Sequence, residues 1–133
     1  MIRGHVNEAG SIVLEVAVRG WRGRAVLHGC LDTEFSGADL SLPMDVAITL
    51  GLDLTGKMEF ELATGEEATQ LLFTGIAQMG DEEEREVSIT VSDSNDVLIS
   101  REWLRGHALY ANYVTGEVII QPETRQRTRR RRR

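Results

Sequence analysis

Apolar and polar positions alternate along much of this chain, in short blocks separated by turn residues. Over residues 11 to 18, Ile12, Leu14, Val16 and Val18 recur at every second position, the period of a strand with one buried face. Arg19-Gly20-Trp21-Arg22-Gly23 makes a turn with two glycines, and residues 24 to 31 return as a second strand. The stretch 11 to 31 therefore reads as a hairpin that ends on Asp32. After the apolar run 38 to 42, Pro43, the Val46 and Leu50 pair and the stop residue Gly51 predict a helix of about two turns. Met58, Phe60 and Leu62 alternate over 57 to 63, Thr64-Gly65-Glu66-Glu67 turns the chain, and 68 to 78 returns as a strand that Gly75 bends or bulges.

Beyond the charged loop Gly80 to Glu86, Val87, Ile89 and Val91 mark another strand, followed by a polar turn over Ser92 to Asp96. Val97-Leu98-Ile99 is wholly apolar, as a fully buried strand would be, and Ser100 caps a brief helix over 101 to 105 that ends at Gly106. Residues 107 to 114 and 117 to 121 form a closing hairpin around Thr115-Gly116. The expectation is a mainly-β fold of about seven strands and two short helices, of the small-barrel kind.

The chain has 133 residues, the size of one domain with its own core. Cys30 is the single cysteine, so no intramolecular disulfide can form, which fits a reducing compartment. The start MIRGHVNEAG lacks the apolar segment of a signal peptide, and no later run approaches the ~20 apolar residues of a membrane span. A soluble, cytoplasmic protein is expected.

Charge divides the chain. The formal net is -6, yet residues 125 to 133, RQRTRRRRR, contain seven arginines and no acid. Removing those seven from the fifteen basic residues leaves eight against twenty-one acids, a net of -13 for the rest. The expected organisation is a folded domain over 1 to 121 and a disordered arginine-rich tail over 122 to 133. Nucleic acid, another anionic surface or the chain's own acidic run Asp81 to Glu86 are the partners such a tail would attract; the alternative is a solvated tail without a partner. No aromatic residues interleave with the arginines, which argues against base stacking.

Several chemistries fall away. His5, His28 and His107 are far apart and lack zinc-ligand spacing, the acidic run lacks calcium-loop spacing, and neither GxxxxGK nor GxGxxG occurs. No metal and no cofactor are expected. Cys30 sits in an apolar strand as a small core residue, and Ser36 lacks the glycine-flanked turn of hydrolase nucleophiles. Asp32 remains. A carboxylate at the end of a buried strand is costly unless something compensates it, although an aspartate there can also simply cap a turn. Peptide hydrolysis by aspartates needs two carboxyl groups sharing one proton around a water. This chain supplies one such turn, so the second would come from a two-fold partner.

Leu31-Asp32-Thr33-Glu34-Phe35-Ser36-Gly37, with Leu42-Pro43 and Leu50-Gly51-Leu52, resembles the bacterial single-domain retropepsin-like (clan AA) aspartic proteases, whose pattern is D-T-G-F-[ST]-G, then L-P and L-G-L. Leu62-Ala63-Thr64-Gly65 is similar to the family's flap, and residues 97 to 104 are similar to its L-I-G-x-x-x-L segment. Thr115-Gly116-Glu117-Val118 stands where the family has a closing hairpin, so the likeness spans about residues 10 to 121. It implies a closed β-barrel, paired as a homodimer, that cleaves a peptide or protein substrate. Asp32 would be catalytic, Thr33 would lock the two catalytic turns together, and Glu34, Ser36 and Gly37 would complete the turn. Residues 60 to 72, with Ala63, Thr64 and Gly65, would form a flap over an extended peptide.

Two positions depart from the family. Glu34 and Ser100 stand where it has glycine. Glu34 would add bulk and, in a dimer, two further carboxylates beside the catalytic pair, which raises the pair's apparent pKa values and crowds substrate. If the turn requires positive φ at 34, a residue other than glycine costs about 1 kcal/mol there. The rival expectation is a catalytically degenerate interaction module whose basic tail binds an anionic partner.

Overall fold

The computed structural model describes residues 1–123, so all but the first two residues of the expected tail lie outside the described chain. Ten strands form one mixed sheet: β1 Ile2–Val6, β2 Ile12–Arg19, β3 Arg24–Asp32, β4 Leu40–Pro43, β5 Asp53–Glu61, β6 Glu67–Gln78, β7 Arg85–Ser92, β8 Leu98–Ser100, β9 His107–Ala111 and β10 Glu117–Pro122. One α-helix, α1 (Met44–Leu50), follows β4, and Gly51 closes it in the left-handed conformation at φ 71°. The second expected helix is a single 3-10 turn, Arg101–Leu104, capped by Ser100.

Two strands carry no clear alternation and so exceed the expected number. All four residues of β4 are buried, because it pairs parallel to β7 on one side and antiparallel to β8 on the other. The strand β1 offers only Ile2 and Val6 as large apolar residues, yet it is held between β2 and β10. Likewise β5 begins at Asp53, four residues before the alternating stretch that signals it.

The sheet returns on itself because two strands change partners along their length. Residues 12 to 14 of β2 pair with β1, and residues 17 to 19 pair with β6. In β6, residues up to Thr74 pair with β5 and residues from Ile76 pair with β2. Strands β2, β3, β8, β4, β7 and β6 thereby complete a circuit of hydrogen-bonded pairs. Gly75 is where β6 changes partners, but it sits in unbroken register opposite Val87; the irregularity lies at Leu54/Gly56 in β5. The core is built from the inward faces of this circuit, with Val16 and Val18 of β2, Leu40 and Leu42 of β4, Ile89 of β7 and Ile99 of β8 all inaccessible to solvent. Each such side chain contributes about 1.5–3 kcal/mol by leaving water.

Cys30 is half-buried on β3 rather than part of that core. Among the described residues, no helix is long and apolar enough to cross a membrane.

Candidate active site

Asp32 ends β3, and the chain does not turn back to pair β4 with β3. Strand β8 is inserted between them, parallel to β3 and antiparallel to β4, with Asp32 opposite Ser100 and Leu40 opposite Ile99. The loop 33 to 39 must therefore arch over the end of β8. That requirement, set by sheet topology, pushes Asp32 and its turn to the surface at the end of a rigid ladder.

Asp32 is half-buried, while Thr33, Glu34, Ser36 and Gly37 are exposed. The turn is tightened from within. Asp32 Oδ1 accepts a hydrogen bond from the Glu34 amide at 3.0 Å, and the Asp32 carbonyl accepts one from the Phe35 amide at 3.2 Å. Among the described residues only glycines have positive φ, so Glu34 carries none of the backbone strain that a left-handed position would impose. The left-handed residue of this turn is Gly37, at φ 93°. The expected cost at position 34 is corrected accordingly.

The far end of the loop is anchored separately. The Asp39 carboxylate accepts from the Ser88 amide at 2.9 Å and from the Ser88 hydroxyl at 3.2 Å, and it faces Arg85 at 3.5 Å. Arg85 in turn lies 4.0 Å above the indole of Trp103, in the 3-10 turn next to Ser100. Ser100 itself is inaccessible to solvent. Its hydroxyl donates to the Phe35 carbonyl at 3.2 Å and accepts from the Glu102 amide at 3.1 Å, and its own amide donates to the Asp39 carbonyl at 3.0 Å. A serine is accommodated here because its hydroxyl is satisfied on both sides.

The β5–β6 hairpin carries the residues expected to form a flap. Leu62 and Glu66 close its turn, the Leu62 amide donating to the Glu66 carbonyl at 2.7 Å, and Gly65 takes φ 89°. Ala63, Thr64 and Gly65 are exposed at the tip, and among the described residues no hydrogen bond joins them to the Asp32 turn. Contact between hairpin and turn comes lower down. Met58 of β5 lies over Gly37, its Sδ and Cε 3.6 Å from the point a Cβ would occupy. Met58 and Phe60 share a face of β5, so the face that reaches the turn is apolar, whereas Lys57, Glu59 and Glu61 alternate with it.

The structure thus gathers Asp32, Thr33, Glu34, Ser36 and Gly37 into one exposed turn with Ser100 behind it and Met58 against it. Met58 and Asp39 were not singled out from the sequence. Met58 was visible only as one of an apolar alternation, and nothing near Asp39 signals its pairing with Ser88. Thr33, expected to bind its counterpart in a partner subunit, makes no hydrogen bond among the described residues. No group of three histidine, cysteine, aspartate or glutamate side chains is placed to hold a metal ion among the described residues.

No family model matches the chain, and no curated protein matches it. Among solved structures, the chain is similar to a retropepsin-like aspartic protease from Rickettsia conorii, with a TM-score of 0.63 and 19% sequence identity over 90% of this chain and 88% of that one. That likeness is one of fold.

Proposed function

We propose that this chain is one protomer of a homodimeric, retropepsin-like aspartic endopeptidase in which Asp32 and its symmetry mate activate a water between them. The observation that carries the reading is the seating of Asp32. It ends a ladder strand, and its carboxylate is oriented by the Glu34 amide at 3.0 Å in an otherwise exposed turn. An aspartate that merely capped the turn would not need a second anchoring network behind it at Ser100 and Asp39. The fold shared with a retropepsin-like protease supports the same reading.

In this reading the six-strand circuit is the family's closed barrel, and two barrels meet with their Asp32 turns face to face. One aspartate takes a proton from water while the other, protonated, polarises the scissile carbonyl; the tetrahedral intermediate then collapses as the leaving amine is protonated. Two carboxyl groups in contact retain one proton between them only in acid to mildly acid solution, so cleavage peaks there. The β5–β6 hairpin acts as the flap, its strand edges hydrogen-bonding to an extended substrate and Met58 and Phe60 offering apolar contact. A cytoplasmic location is part of the proposal. Binding of nucleic acid by the arginine segment has no observation in its favour and is not adopted.

The test is peptide cleavage between about pH 4 and pH 7 by the wild type and by Asp32→Ala, since a group that makes the reaction possible is worth several orders of magnitude in kcat. Cleavage that disappears in Asp32→Ala supports the reading. Cleavage that survives the substitution overturns it.

A further inference from the structure

The loop that carries Asp32 is held at both ends by backbone structure. At its start Asp32 lies in the β3–β8 ladder opposite Ser100, and at its end the Asp39 carbonyl accepts from the Ser100 amide while the Asp39 carboxylate accepts from Ser88. The middle, residues 33 to 37, has hydrogen bonds of its own to Asp32. Among the described residues, a single hydrogen bond reaches that middle from outside the loop: Ser100 Oγ to the Phe35 carbonyl, at 3.2 Å. The same oxygen is fixed by the Glu102 amide at 3.1 Å, so the hydroxyl proton has one direction to point.

We infer that Ser100 is a positioning residue for the candidate catalytic aspartate. By holding the Phe35 carbonyl it fixes the Phe35–Ser36 peptide, which follows directly on the two peptides that carry the Glu34 and Phe35 amides, and those two amides hold the Asp32 carboxylate and carbonyl. A glycine here could serve only through close packing. The serine supplies a directed hydrogen bond from a side chain that is itself inaccessible to solvent. Among the described residues the Ser100 hydroxyl makes no hydrogen bond to the Asp32 carboxylate, so its side-chain hold on the turn is through Phe35.

This inference rests on the protease reading for its catalytic consequence but not for its structural one, and the two are separable. Backbone amide hydrogen exchange followed by NMR on the full chain reads the structural part. In Ser100→Ala the amides of Glu34 and Phe35 exchange at least about tenfold faster, because the turn opens locally, while those of residues 26 to 30 in β3 keep their protection. Ser100→Cys, nearly the same size with a weak donor, falls between. Exchange at Glu34 and Phe35 that is unchanged in both variants overturns the inference whether or not the protein cleaves peptides. On the kinetic side, kcat falls about tenfold in Ser100→Ala with KM changed less than about twofold, and Ser100→Cys recovers part of the loss. A loss confined to KM also overturns it. If the alanine variant does not fold, the cysteine variant carries both measurements. Cleavage that survives Asp32→Ala would overturn the protease reading alone and leave the exchange result standing.

Discussion

Glu34 lies two residues from Asp32, exposed, and forms no ion pair among the described residues. Its backbone serves the site, since its amide donates to Asp32 Oδ1. In the proposed dimer its side chain would bring a negative charge beside the aspartate pair, which must lose one proton and keep the other. Two such side chains face each other in the proposed dimer, and their repulsion opposes the singly ionised state that catalysis needs. Glu34→Gly keeps the amide and removes the charge, so kcat/KM rises about tenfold, or ~1.4 kcal/mol of transition-state stabilisation. Steady-state kinetics at several pH values check this. An unchanged or lower kcat/KM would mean that Glu34 neither crowds nor repels. That Asp32 and Glu34 lie where a strand gives way to a turn was legible in the sequence, because turn residues follow an apolar run there. The hydrogen bonds of Ser100 and Asp39 were not, because they exist only once β8 is inserted between β3 and β4, and no local pattern announces which strands become neighbours. Ser100 could be read as a cap, and it is one; its second bond, to Phe35, spans sixty-five positions in the chain.

At the scale of elements, hairpins were readable and partner changes were not. The pairs β2–β3, β5–β6 and β9–β10 follow from alternation and turn residues, which are local. The buried strand β4 shows no alternation because both its neighbours are strands within the sheet. Gly75 looked like a bulge, and its real task is to let β6 pass from β5 to β2. A Cβ there would lie 2.8 Å from Leu52 Cδ2 and 3.3 Å from the Arg19 carbonyl, where the chains come closest. Gly75→Val therefore overpacks the junction and destabilises the protein by about 1–3 kcal/mol. Thermal or urea denaturation measures it; a change under about 0.5 kcal/mol would show that the junction has room. The β5–β6 hairpin responds differently. Its tip makes no contact with the core, so Thr64→Ala leaves stability within about 0.5 kcal/mol.

At the scale of the whole molecule, an aspartic protease of the proposed kind must stay folded in acid. Arg19 of β2 grips Glu84 with two hydrogen bonds, at 3.0 and 3.1 Å, and this holds the Glu84 carboxyl below its ordinary value. A carboxyl whose folded value is lowered contributes stability above its ordinary range and loses it as the pH falls through the lowered one. The pair is half-exposed, so the contribution is small and screened by salt. Glu84→Gln should flatten the acid limb of stability against pH without changing stability's response above neutrality. Urea midpoints at a series of pH values test this, and an acid limb as steep as in the wild type would contradict it. The acidic body was legible from composition alone, but which acids are paired was not, since Arg19 and Glu84 are sixty-five positions apart.

The central claim is that two Asp32 side chains from two protomers make one site. It is tested most directly by mixing wild type with Asp32→Ala at constant total protein, after exchange of subunits, and following peptide cleavage. If each site needs both aspartates, activity falls with the square of the wild-type fraction, to about one quarter of its starting value in an equal mixture. A fall to about one half, in simple proportion to wild-type chain, would mean that each protomer acts alone and would contradict the account.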